Sequence, residues 1–216
     1  MIKGVNLHKK YNDLCVVNNA NLEISKGEIV VIVGKSGAGK STLLHILGTL
    51  DRPTSGDVYL NGKLVSALSD AQLSSFRNEH IGFVFQFHHL LPEFTAVENV
   101  MMPALIKKTP KKEAESRAKE LLDYLGLAQR IDHKPSQMSG GEQQRVAVAR
   151  ALMNRPLVIF ADEPSGNLDT QTSKELHDLF FKLNKDFEQT FVIVTHNTEL
   201  ASMAHRTIQM QDGNIL

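Results

Sequence analysis

Cysteine is almost missing from this chain: Cys15 is the only one in 216 residues. It can close no internal disulfide, which fits a reducing compartment, and as a small apolar residue in a strand-like run it needs no catalytic explanation. Long apolar runs are missing too. The longest, IVVIV at 29–33 and LVIFA at 157–161, fall far short of the roughly 20 residues that cross a bilayer. The opening MIKGVNLHKKYN lacks the apolar stretch of a secretory signal. Nor is there an excess of either charge: Lys plus Arg and Asp plus Glu number 24 each. Global charge therefore draws the chain neither to nucleic acid nor to an anionic surface, and any phosphate binding must be local. Repeats and low-complexity tracts are absent as well. What remains, 42% hydrophobic and 22% charged, is the balance of an ordinary globular unit able to bury a core.

Residues 2–33 read as strand-rich, with Ile2 to Leu7, Ala20 to Ile24 and Glu28 to Val33 apolar or alternating between polar turns. A helix is expected from Thr42 to Leu50, and a short hairpin where Asn61-Gly62 follows Val58 to Leu60. Ile81 to Phe85 reads as a buried strand. Between about Phe87 and Arg155 the pattern turns helical, and Ala114 to Leu125 sets Ala118, Leu121, Leu122 and Leu125 on one side. Strands return at Leu157 to Ala161 and Phe191 to Thr195 around a helix near Ser173 to Leu183, and this alternation predicts a parallel sheet with right-handed crossovers.

The run GKSGAGKST at 34–42 contains the P-loop pattern in full, after an expected strand and before an expected helix. Glycines let backbone N–H groups turn inward on phosphate oxygens, which makes Gly34, Lys35, Ser36, Gly37, Ala38, Gly39 and Thr42 candidate nucleotide contacts. Lys40 supplies a positive charge for the β- and γ-phosphates, and the Ser41 hydroxyl suits Mg²⁺. LVIFADEP at 157–164 ends an apolar strand in two acids. Asp162 is a candidate for holding Mg²⁺ and Glu163 for taking a proton from attacking water, although two acids at a strand end also make a solvated turn.

Kinases and GTPases share those two elements. The run MSGGEQQRVAVARAL at 138–152 separates this chain from them. Ser139 and Glu142 form a capping box, yet Gly140 and Gly141 occupy the first helical turn, where each glycine costs about 1 kcal/mol against alanine. Bare N–H groups at the positive end of a helix suit a second phosphate. Here the chain resembles the ABC ATPases, whose signature normally reads LSGGQ and reaches across a dimer to the nucleotide on the opposite subunit. Ser139, Gly140 and Gly141 match it, while Met138 and Glu142 depart from it, and Glu142 is assigned to the reciprocal cap.

That resemblance covers essentially all 216 residues. It implies an α/β P-loop NTPase with a RecA-like parallel core, an antiparallel β subdomain and a helical subdomain. The whole forms one domain, with a core lobe at about 1–86 and 156–216 and a helical lobe at about 87–155. Gln86 takes the place of the glutamine that senses Mg²⁺ and water, His196 that of the switch histidine, and Asp169 in SGNLD that of the aspartate at the subunit boundary. Tyr11 stands where an aromatic stacks on adenine in that family, although a plain edge-strand tyrosine would look the same in sequence. The other eight histidines show no metal-ligand spacing.

QFHHLLPEFTAVENV at 86–100 is similar to the segment after this glutamine in lipoprotein-releasing ATPases, within a group shared with MacB-like exporters and FtsE-like envelope-remodelling ATPases. The resemblance implies ATP and Mg²⁺ as cofactors, a homodimer, and separate integral membrane subunits of the LolC/LolE kind. It also implies a peripheral place on the cytoplasmic face of the inner membrane, with lipoprotein cargo reached through the membrane partner only and no nucleic acid. Phe87, Leu90, Leu91 and Phe94 are expected to dock that partner or to fill helical core.

Overall fold

The computed structural model describes residues 1–216. Its first two strands, β1 (Ile2–Tyr11) and β2 (Leu14–Ile24), are longer than their apolar segments because the sheet they form has a solvated face, so polar residues such as Asn19 and Asn21 alternate through them. β3 (Ile29–Val33) leads into the glycine loop, and α1 (Lys40–Leu47) starts two residues earlier and stops three earlier than expected. β4 (Ser55–Leu60) and β5 (Lys63–Leu64) make the expected hairpin, with Asn61 and Gly62 at φ 51° and 78°, the left-handed pair of a tight type I′ turn.

Helix α2 (Asp70–His80) was not expected from the sequence: it buries only Leu73 and Phe76, too little for a clear period. Strand β6 (Ile81–Phe85) follows it. Then come α3 (Ala96–Ile106), α4 (Lys111–Tyr124) and α5 (Gly140–Leu152), the helical middle third. The chain closes with β7 (Val158–Asp162), α6 (Thr170–Phe187), β8 (Thr190–Val194), α7 (Thr198–Met203), β9 (Arg206–Gln211) and β10 (Asn214–Ile215). The last helix and the last two strands were also not expected.

Two sheets result. One is antiparallel in the order β2-β1-β4-β5; the other runs β10-β9-β3-β8-β7-β6, parallel except for its edge strand β10. The central parallel strands β3, β7 and β8 are apolar on both faces, which explains why IVVIV and VIFA show no alternation. Ile29, Val31, Ile159, Ala161, Phe191 and Ile193 join a core with α3 to α6; their neighbours Val30, Ile32, Val158, Phe160, Val192 and Val194 join another with the antiparallel sheet, α1 and α2. Register aligns Phe85 with Asp162 and Asp162 with Val194, so β6, β7 and β8 end at one level and deliver Gln86, Glu163 and His196 to one edge.

Candidate nucleotide site

The loop between β3 and α1 is held open by glycine. A Cβ on Gly34 would strike the carbonyl oxygen of Met210, and one on Gly39, at φ 95°, would strike that of Val16. Gly39 is the N-cap of α1 without a side-chain bond, and no acid stands in the first turn. The positive end of α1 is thus left to whatever lies in the loop. Gly37, at φ 79°, has open space where a side chain would be. Lys40 Nζ donates to the carbonyls of Gly34 (2.9 Å) and Lys35 (3.0 Å), which lays the ammonium along the loop.

Ser41 Oγ donates to Asp162 Oδ1 at 2.9 Å. This joins the start of α1 to the end of β7 and gives an oxygen pair of the kind Mg²⁺ takes alongside phosphate. No group of three or more His, Cys, Asp or Glu side chains converges anywhere to make an all-protein metal cage. One residue on, Glu163 leaves the strand at φ 45°, its N–H donating to Val194 O at 2.9 Å. Its Oε2 lies 3.0 Å from His196 Nδ1 and accepts from the His196 amide at 3.4 Å. His196 is 77% exposed and Glu163 22%, so the histidine is the outer, solvent-facing member of the pair.

Gln86 reaches this edge but its amide is engaged: Nε2 donates to Asn167 Oδ1 at 2.7 Å, and a Cβ on Gly166 would meet it. The expected Mg²⁺-sensing glutamine is therefore latched to the SGNLD turn in this conformation. Asp169 caps α6 by accepting from the Thr172 amide (3.0 Å) and hydroxyl (2.6 Å), bonds that hold its carboxyl below the usual range. Tyr11, half exposed, donates its hydroxyl to Asp51 at 2.6 Å; that bond raises its pKa. Lys9, which also pairs with Asp51 at 2.6 Å, covers the ring at 4.8 Å from its centroid, and the Thr42 hydroxyl is a further neighbour, so Tyr11 borders the loop.

At the start of α5 the capping box forms. Ser139 Oγ accepts from the Glu142 amide at 3.2 Å and Glu142 Oε2 from the Ser139 amide at 2.8 Å, while Arg130 Nε donates to Glu142 Oε1 at 2.7 Å. The Ser139 amide and then Arg130 hold the Glu142 carboxyl below its ordinary range. Gly141 has a further reason within the chain that the sequence did not show: a Cβ there would hit the Thr172 methyl, and Asp169 pins Thr172 in place. Gly140 has no such obstacle, only Leu168 at ordinary contact distance. No hydrogen bond joins Ser139, Gly140 or Gly141 to residues 34–42.

Three buried polar residues were missed by sequence reasoning. Gln144, fully buried on α5, donates to Phe85 O (3.1 Å) and Pro164 O (2.6 Å), tying that helix to two strand ends of the site. His177 on α6 meets Ser165 Oγ at 3.0 Å, and burial lowers its pKa. Asn99 on α3 accepts from the Leu91 amide and donates to the carbonyls of Leu91, Phe94 and Thr95, which holds out a segment where Phe87 is 64% exposed and Leu91 and Phe94 also face solvent. A polar residue inside an apolar helical face was the available signal at Gln144 and Asn99.

The family model described as ABC transporter matches residues 17–166. The lipoprotein-releasing system ATP-binding protein LolD of Cytophaga hutchinsonii is 59% identical over 216 residues, spanning 100% of this chain and 99% of its own. Among solved structures, the dimeric structure of MJ0796, a bacterial ABC transporter cassette, superposes with a TM-score of 0.91 at 43% identity, covering 100% of this chain and 96% of that one. A dimeric post-hydrolysis state of the same cassette, bound to ADP and Pi, superposes with a TM-score of 0.90 at 42% identity over the same shares. Full-length likeness at this identity, together with a family model that spans residues 17–166, leaves one conclusion: the chain belongs to the ABC transporter family.

Proposed function

We propose that this chain is the ATP-hydrolysing subunit of a lipoprotein-releasing ABC transporter, in which two copies close around two molecules of Mg-ATP. The observation that carries the ATPase reading is the convergence at one sheet edge of a phosphate loop, the Ser41–Asp162 pair and the Glu163–His196 pair. The lipoprotein-releasing reading rests on the full-length likeness to LolD, which favours it over the exporter and envelope-remodelling alternatives.

In this reading Gly34 to Thr42 wrap the phosphates with backbone N–H groups, and Lys40 swings from the loop carbonyls onto the β- and γ-phosphates. Ser41 and Asp162 would hold Mg²⁺, which would supply positive charge against those phosphates. Gln86 would join them on release from Asn167. Glu163 accepts the proton of the water that attacks the γ-phosphorus, and the bond to the leaving β-phosphate oxygen breaks. His196 orients Glu163 and meets the γ-phosphate, and Tyr11 stacks on adenine. Ser139, Gly140 and Asp169 act on the nucleotide of the partner copy, and Gly141 does so while also clearing Thr172. Residues 1–86 and 156–216 form the core lobe and 87–155 the helical lobe. Phe87, Leu91 and Phe94 dock membrane subunits of the LolC/LolE kind from the cytoplasmic side of the inner membrane.

Purification in mild detergent tests the proposal. ATP-hydrolysing complexes that retain LolC/LolE-like subunits, and discharge a bound lipoprotein only when ATP is supplied, are expected. A complex that hydrolyses ATP but holds no lipoprotein in any nucleotide condition overturns the lipoprotein reading; a chain without ATP turnover overturns the whole.

A further inference from the structure

Ser41 and His45 stand one turn apart on α1 and so share a face. That face meets the end of β7, where the two oxygens of Asp162 divide between them: Ser41 Oγ is 2.9 Å from Oδ1 and His45 Nε2 is 3.5 Å from Oδ2. The imidazole as a whole is about one third exposed, 35%, but Nε2 itself is buried and has no hydrogen-bond partner. Buried polar atoms are nearly always satisfied, and an exception asks for a reason. A packing role would be filled by an apolar side chain with no orphaned atom.

The Ser41 hydroxyl has two tasks that compete. Its proton serves Asp162, while its oxygen is the atom suited to a cation. When that oxygen turns away, Asp162 loses the one donor within hydrogen-bond distance of its carboxylate. His45 is then the neighbour able to hold it, because a small rotation of the carboxylate shortens the present 3.5 Å to a true hydrogen bond.

We propose that His45 is a positioning residue for Asp162: its Nε2–H donates to Oδ2 and keeps Oδ1 turned toward Ser41 and the cation. This rests on the reading of Ser41 and Asp162 as the Mg²⁺ site. Outer partners of this kind typically change metal affinity by about 10–100-fold when removed.

The test measures binding of a fluorescent ATP analogue against free Mg²⁺, and again in EDTA, with Glu163→Gln protein as parent so that turnover does not intrude. In the His45→Leu variant the Mg²⁺ concentration for half-saturation is expected to rise about 10–100-fold. Affinity in EDTA and the thermal midpoint of the nucleotide-free protein should stay at parent values. His45→Gln, whose Nε2 extends as far from the backbone, should return most of the loss. If the leucine variant does not fold, His45→Asn, too short to reach Oδ2, takes its place. An unchanged Mg²⁺ midpoint, an equal loss in EDTA, or a glutamine variant no better than leucine overturns the proposal. Ser41→Ala is the control. If it shifts the Mg²⁺ midpoint and His45→Leu does not, only the role of His45 falls; if neither shifts it, the metal reading of Ser41 and Asp162 falls.

Discussion

Glu163 is a non-glycine residue in the left-handed region, at φ 45°, a conformation that costs about 1–3 kcal/mol and persists only where neighbours enforce it. Its amide bond to Val194 O and the Gly166 amide bond to its own carbonyl enforce it. The strain turns the carboxylate out of the strand line toward His196. Replacing Glu163 by Gln keeps the shape and removes the base. ATP binding should persist while hydrolysis falls by about 10²–10⁴-fold, and ATP-bound dimers should accumulate on a sizing column. Unchanged turnover would remove Glu163 from the proton-accepting role. Asp162 and Glu163 were legible at this scale because a motif places them. The Gln86 latch onto Asn167 was not, since a hydrogen bond across 81 residues leaves no local pattern.

Among elements, α5 carries the most information. Its glycines looked costly for a helix start, and the cost has two different sources: Gly141 makes room for Thr172, whereas Gly140 faces no comparable obstacle. Gly141→Ala should therefore destabilise the fold despite the better helix former. In a Thr172→Ser background, which removes the methyl but keeps the hydroxyl on Asp169, the same change should be neutral or stabilise by up to about 1 kcal/mol. Chemical denaturation of the four proteins reads this cycle, and equal effects in both backgrounds would show that Thr172 is not the obstacle. Gln144 extends the point: with bonds to Phe85 O and Pro164 O, any tilt of α5 is passed directly to the strand ends that precede Gln86 and follow Glu163. The central strands were legible because double burial writes an unbroken apolar run. Helix α2 was not, since tertiary contact at Leu73 and Phe76 supports it and the Ser69–Gln72 capping box was its one local mark. In β9, Ile208 and Met210 are the buried members of an otherwise exposed hexapeptide, a weak alternation to read from sequence.

For the whole molecule the decisive question is how many chains make one working centre. Among the residues expected to complete a neighbour's site, Ser139 is bonded to Glu142 and Asp169 to Thr172, and neither is bonded to the phosphate loop of its own chain. Turnover per chain should fall on dilution. Mixing Lys40→Ala with Ser139→Ala chains should restore part of the activity that each variant lacks alone, since a mixed pair holds one intact site. Full-speed hydrolysis by a strictly monomeric preparation would contradict the shared-site reading.

The two-faced parallel sheet carries a last consequence. Because hydrocarbon occupies both its sides, charge has nowhere to stand but along the rim, where the strands run out. A rim has an inner lip and no roof. Chemistry that must exclude water there needs a cover brought from elsewhere, so the same greasiness that makes the sheet stable also makes the molecule dependent on company.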